Sequence, residues 1–239
     1  MYNLTQNTLK NKTTMEIHTI LIMLHLLGFA FGVGGATASD LTFIRSTKDG
    51  EVKKSEYNII KTLSYLVWTS VILVTLSGIA LMGLEYHEQG ALARLEWSFF
   101  QIKMTAVGAL IINGTVFHYY VFPLLKQSVG RSFRSKKMRS KYKLFGFTGA
   151  VSIVSWYTAF LSVAFSEFVN EISYITLLSG YGFLIASGAF FAYTTLHMHA
   201  DEVNIFKAVA TTLKHRFSQV VLLLAGILLV VASLSFINM

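Results

Sequence analysis

The residue best suited to chemistry in this sequence is a histidine within an apolar segment. His25 lies in the run Ile17–Val33, where an ionisable ring is costly and usually has a function. At about 100° per residue, a helix places a row of small residues within about 60° of His25. Small residues let a flat or bulky group approach the backbone. The row favours either the edge of a haem or a neighbouring helix, and its members are Gly28, Gly32, Ala36 and Ser39.

A second group of candidate ligands is expected near the cytoplasmic ends of the apolar segments. Imidazole and carboxylate groups together suit zinc, iron or copper. His197 and His199 are about 200° apart on a helix, so they could bind one ion only if the helix has ended. The alternative is that these residues mark helix ends at the lipid headgroups. The group comprises Asp40, His118, His197, His199, Asp201 and Glu202.

The expected depths of the histidines restrict how they could share a haem. His25 precedes Arg45 by about 30 Å of helix, whereas His118 precedes Lys126 by only about 12 Å. His25 and His118 should therefore not ligate the same iron. His118 and His197 have similar expected depths and could form a pair. His25 would then need a non-histidine ligand, a five-coordinate iron, or one of two further histidines, His18 and His87.

Lys103 is another costly residue in an apolar segment. It lies near the start of its segment and could extend its ammonium to the membrane surface. Alternatively it faces the interior, where it could pair with a haem propionate or an acidic substrate. Gly114 and His118 are one turn apart, and Lys103 is about 60° from their stripe. All three could therefore face the interior together.

The composition defines the class of protein. The 239 residues are 54% hydrophobic and 13% charged, with a mean hydropathy of +0.56, whereas soluble domains carry about 25% charged residues. The chain is therefore predicted to be an integral membrane protein. Because it has no cysteine, disulfides, iron–sulfur clusters and thioether-linked haem are excluded. Histidine remains the main nitrogen ligand.

The apolar segments predict an all-α fold with six transmembrane helices in one bundle. Each is about 20 residues or longer, the length that a helix needs to cross a bilayer. Residues 1–16 are predicted to be a polar N-terminal tail without signal-peptide features, and residues 17–239 to be the transmembrane domain. The six segments are Ile17–Ala38, Ile59–Leu84, Phe99–Leu125, Leu144–Phe165, Ile172–Leu196 and Phe217–Ile237.

The net charge of +8 is concentrated in three of the five linkers. The positive-inside rule places these linkers in the cytoplasm and both termini outside, as expected in a bacterial cytoplasmic membrane. The charge is thus a topology signal, and no nucleic-acid partner is expected. The first linker is predicted to hold an Asp49-Gly50 turn, a short helix and a cap at Ser55. The third, 126–143, is expected to contact anionic lipids or dock an acidic partner.

Short motifs in the first and third segments resemble a known group of small bacterial membrane proteins. These motifs are Leu24–Gly28 leading to Gly34-Gly35, and Lys103 followed by Gly114 and His118. The group includes the membrane-bound protoporphyrinogen oxidase of haem synthesis and the copper-resistance D-type proteins. In the oxidase family a first-helix histidine and a third-helix lysine and histidine accompany a b-type haem. The resemblance covers three segments, about half of the chain, and implicates His25, Lys103 and His118.

These observations lead to three hypotheses, and whether the protein is an enzyme stays open. The first is a b-type haem protein that transfers electrons with a redox partner; its cofactor-binding residues would be His25, Gly28, Gly32, Lys103, Gly114, His118 and His197. The second is a permease or handling protein for copper or another transition metal; its ligands would be His25, Asp40, His118, His197 and His199. The third is a membrane scaffold or small-solute channel.

Overall fold

The structure, a computed structural model, describes residues 2–48, 50–89, 93–132 and 135–200. Helices dominate these residues, which contain no β-strand. A 3₁₀ turn covers Ala93–Glu96, and a π-helical turn at Phe117–Val121 joins two helices end to end. The helices are α1 (Tyr2–Lys48), α2 (Lys54–Gln89), α3 (Ser98–Val116), α4 (Phe122–Ser128), α5 (Lys136–Arg139), α6 (Tyr142–Ala164), α7 (Ser166–Asn170) and α8 (Tyr174–Ala200).

Five helical segments within the described residues are long and apolar enough to cross a membrane. Their large apolar side chains are widely exposed, as expected of surfaces that contact lipid. The chain is therefore a multi-pass helical membrane protein. The sixth predicted segment, Phe217–Ile237, lies outside the described residues. The five segments are Thr14–Thr47, Lys54–His87, Ser98–Ser128, Tyr142–Ala164 and Tyr174–Met198.

The first helix is longer at both ends than the sequence indicated. The predicted tail continues α1, which begins at Tyr2. At the other end α1 runs to Lys48, so the short separate helix predicted in the first linker was wrong: too few residues remain to form one. The turn there is confirmed by Gly50, whose φ is 77°. Ser55 does not cap α2; instead the Glu56 carboxylate accepts the Lys53 N–H at 2.9 Å.

Two separate apolar clusters hold the helices together. The first core cluster joins α1, α2, α3, α6 and α8, which pack most extensively as the pairs α1/α2, α3/α6 and α6/α8. Trp156 and Ala106 are almost fully buried within it. The second core cluster surrounds Val52 and Tyr142, both with 0% exposure. Helix α4, the α1–α2 linker and the start of α6 therefore meet at one end of the bundle.

The two basic linkers in the described chain lie at this same end, here called the linker end. Isolated β-bridges pair Glu51 with Ser132 and Val52 with Val129. The Gly130 N–H also donates to the Val52 carbonyl at 3.1 Å. The expectation that the first and third linkers share one side of the bundle is thus confirmed.

Helices α3 and α4 form one continuous rod through the π-helical turn, and this turn lets one face of the rod pack against both core clusters. The buried face begins with Ile102, Ala106, Leu110 and Asn113 and resumes with Val121 and Leu125. Val121 follows Asn113 by eight positions, which in an ideal α-helix would place it about 80° past the buried face. A π turn takes up about one extra residue. It therefore returns Val121 and Leu125 to the core.

Candidate functional site

The His25 ring is oriented by a hydroxyl on the neighbouring helix. Its Nδ1 lies 2.9 Å from the Ser77 Oγ. The Ser77 hydroxyl donates its single hydrogen to the Leu73 carbonyl at 2.6 Å, so its oxygen must accept from His25. His25 therefore carries its proton on Nδ1, and the lone pair is on Nε2.

Lys103 faces that lone pair. Its Nζ lies 3.4 Å from the His25 Nε2 and 5.9 Å from the centre of the Phe29 ring. An ammonium can only donate, so the imidazole nitrogen accepts. Of the two interpretations of Lys103, the one that turns it towards the bundle interior is confirmed. The structure thus brings together the first-segment histidine and the third-segment lysine, with Ser77 as an addition that sequence reasoning missed.

At Gly28 and Gly32, neighbouring helices fill the space beside the row of small residues. A Cβ at Gly28 would meet the Val74 Cγ2 at 2.8 Å, and a Cβ at Gly32 would overlap the indole ring of Trp156. Ala36 is buried in the first core cluster. Of the two alternatives for this row, a neighbouring helix is the one present. A haem edge could enter only if these side chains moved.

Two predicted members of the third-segment stripe have different environments. Gly114 lies against α2, because a Cβ there would come within 3.2 Å of the Trp68 indole. His118 is exposed, and its ring contacts Tyr119 and Phe122 of its own rod. The prediction that His118 faces the interior was wrong. The buried face passes through Val121 and Leu125, and His118 lies beside it.

The described side chains do not assemble the second group of candidate ligands, which was predicted near the cytoplasmic ends of the apolar segments. His197 is half-buried and packs edge-on against Tyr142 and Tyr193, with ring centres 5.2 and 4.5 Å apart. His118 contacts different residues. The His199 side chain, Asp201 and Glu202 lie outside the described residues. In the part of the chain that the structure describes, no three histidine, aspartate or glutamate side chains are grouped for a metal ion.

Asp40 lies instead beside a small cavity whose largely apolar wall carries several oxygen-bearing side chains. The cavity, of about 60 Å³, is formed by α1, α2, α3 and α6. Its oxygen-bearing side chains come from residues distant in sequence, so no local sequence motif predicts that they lie together. They are Ser39, Asp40, Ser64, Asn113, Thr148 and Ser152.

Comparison with known proteins adds no assignment. No protein-family model matches the chain, and no curated protein or solved structure is significantly similar to it. The resemblance to the oxidase and copper-resistance group therefore depends on the residues of the first and third segments.

Proposed function

We propose that this protein binds a b-type haem and takes part in electron transfer or another redox reaction in the membrane. The observation that carries the proposal is the orientation of His25. Its Nε2 lone pair is directed away from the hydroxyl that holds Nδ1. Histidine ligands of metals typically donate their other ring N–H to a fixed acceptor. An imidazole held in this way has the form that ligates haem iron.

Lys103 supports the same proposal. Haem carries two negatively charged propionates, and an ammonium inside a membrane bundle would attract one of them. Since Lys103 now donates to His25, it would exchange this contact for a propionate when haem binds. The haem would supply one-electron chemistry, while Ser77 would hold the ligand ring in place.

The fit does not extend to the whole set of predicted cofactor residues. Gly28, Gly32 and Gly114 are in contact with neighbouring side chains, so we assign them to helix packing. His118 is exposed, so it does not share an interior face with Lys103 as the spacing in the sequence had suggested. Its pairing with His197 around a haem stays a prediction. The proposal is therefore restricted to His25, with Ser77 and Lys103 as its supporting residues.

The test is a visible absorption spectrum of the detergent-purified protein from cells supplied with haem. Air-oxidised and dithionite-reduced samples should show a Soret band that shifts on reduction, with sharp visible bands. His25→Ala should lose these bands, whereas His118→Ala, at an exposed ring, should keep them. A colourless wild-type protein would overturn the proposal, and copper or zinc found in the same sample would then favour the metal permease.

We also propose that Phe217–Ile237 is a sixth transmembrane span and that both termini lie outside a bacterial cytoplasmic membrane. The joining of two basic linkers at one end supports this orientation. The 239-residue sequence has no cysteine, so single cysteines introduced into it can be labelled without background. In intact cells, Glu167→Cys should react with an impermeant maleimide and Ser135→Cys should not. The reverse pattern would invert the topology. Fusions of a reporter after residue 239 test the sixth span.

A further inference from the structure

We propose that the cavity beside Asp40 binds a small monovalent cation, for which Na⁺ is the probe. This inference does not depend on haem binding. It is carried by a carboxylate and three hydroxyl-bearing side chains that line one cavity inside the bundle. Each of these four groups has no hydrogen-bond or ion-pair partner among the described residues.

The three hydroxyls differ from most others on the same helices. Ser46, Ser70 and Ser155 donate to a carbonyl one turn earlier, which is the usual way to satisfy a hydroxyl in a transmembrane helix. Ser39, Ser64 and Ser152 make no such bond within the described chain. Since all three line the cavity, their oxygens are available to a ligand in it.

Asn113, unlike the three hydroxyls, is held by a hydrogen bond. Its Nδ2 donates to the Thr148 carbonyl at 2.9 Å. The amide nitrogen is therefore engaged, and its Oδ1 is the atom left for a ligand. The cavity thus offers a carboxylate, an amide oxygen and three hydroxyl oxygens, which together are the hard oxygen donors that alkali and alkaline-earth cations prefer.

Charge and size select a monovalent ion. Asp40 is the one charged side chain among the lining residues, and an isolated ionised carboxylate is costly to bury. One monovalent cation would make the site neutral, whereas Ca²⁺ sites usually provide several carboxylates. A volume of about 60 Å³ is enough for a small ion with a few water molecules, since one water needs about 10–15 Å³ of such space.

A second cavity, of about 30 Å³, continues from Asp40 and Ser39 towards the linker end. Its wall is shared with the second core cluster through Val121, Leu125 and Phe145. Asp40 therefore lies where the two cavities adjoin, and the smaller one extends the space beside Asp40 towards the linker end.

The test is binding of ²²Na⁺ to the purified full-length protein in detergent, with choline chloride to hold the ionic strength constant. Wild-type protein should bind saturably at a ratio approaching one ion per chain. Asp40→Asn should weaken binding at least tenfold, whereas Glu167→Gln, which removes an exposed carboxylate elsewhere, should not. Absence of saturable binding, or equal binding by Asp40→Asn, would overturn the proposal.

A milder pair of variants keeps the test decisive if Asp40→Asn does not fold. Ser152→Ala removes one oxygen of the cavity and should weaken ²²Na⁺ binding severalfold. Ser179→Ala removes an exposed hydroxyl that bonds the Ile175 carbonyl and should leave binding unchanged. Equal affinities for both variants would exclude the cavity as the site. Displacement of ²²Na⁺ by Ca²⁺ at lower concentrations than by unlabelled Na⁺ would overturn the choice of a monovalent ion.

Discussion

The Nε2 of His25 lies 3.4 Å from the Nζ of Lys103, although 78 positions separate the two residues in the chain. Both side chains are expensive inside a membrane, and the contact lowers the cost of each because a nitrogen lone pair meets an ammonium donor. Ser77 fixes the ring from the other side. Helices α1, α2 and α3 each provide one member, so the site exists only when all three are packed together.

Removing the hydroxyl behind His25 should loosen the haem ligand. In Ser77→Ala the Nδ1–H loses its acceptor and the ring can rotate or change tautomer. Loss of such a supporting contact typically lowers metal affinity by about 10–100-fold. Haem retention during dilution and the position of the Soret band would measure this effect. Ser70→Ala is the matched control, because this buried serine on α2 bonds its own helix. Equal haem retention by the two variants would contradict the role given to Ser77.

Removing the charge beside His25 should weaken haem binding without removing the iron ligand. Lys103→Met preserves the length of the side chain and abolishes the ammonium. A hydrogen bond with a charged partner contributes about 1.5–3 kcal/mol, so haem affinity should fall by about 10–100-fold while the reduced spectrum keeps its shape. Lys61→Met, at an exposed position on α2, serves as the control. A Lys103→Met protein that binds haem as tightly as the Lys61→Met protein would show that Lys103 makes no contact with the cofactor.

Adding a methyl group to the small-residue row should reveal that it serves helix packing. In Gly32→Ala the new Cβ would overlap the Trp156 ring, and overpacking of this kind costs about 1–3 kcal/mol. In Gly34→Ala the new Cβ meets no atom within 4 Å, so better helix propensity should raise stability by up to about 1 kcal/mol. Thermal unfolding in detergent would rank the variants. Equal midpoints for the two would contradict the close contact between α1 and α6.

The described spans could be predicted from sequence because exposing unpaired backbone groups to lipid is costly. A segment that crosses the bilayer must therefore be an apolar helix of sufficient length. A run of about 20 apolar residues has few alternatives to a transmembrane helix. The shared end of the two basic linkers followed from charge alone. Their backbone pairing through Val52 and Gly130 did not, because it depends on contacts between residues far apart in the chain.

The details of the site were less accessible to sequence reasoning. The placement of His118 failed because the sequence did not show which face of the third segment is buried. That face passes through Ala106, Leu110 and Asn113, and an ideal α-helix places His118 about 140° from Asn113. Ser77 was missed because a serine in an apolar segment has no distinguishing local signal. The ligands of the Asp40 cavity come from four helices, and only the packing of those helices shows that Ser64, Asn113 and Ser152 lie together.

The contact between Gly32 and Trp156 has a consequence for how this sequence can diverge. An indole that is 1% exposed occupies the space that any other residue at position 32 would need. Neither position can change freely by itself. As related sequences are collected, a side chain larger than glycine at position 32 should occur together with a smaller residue at position 156, so that the summed volume across the α1–α6 contact stays nearly constant.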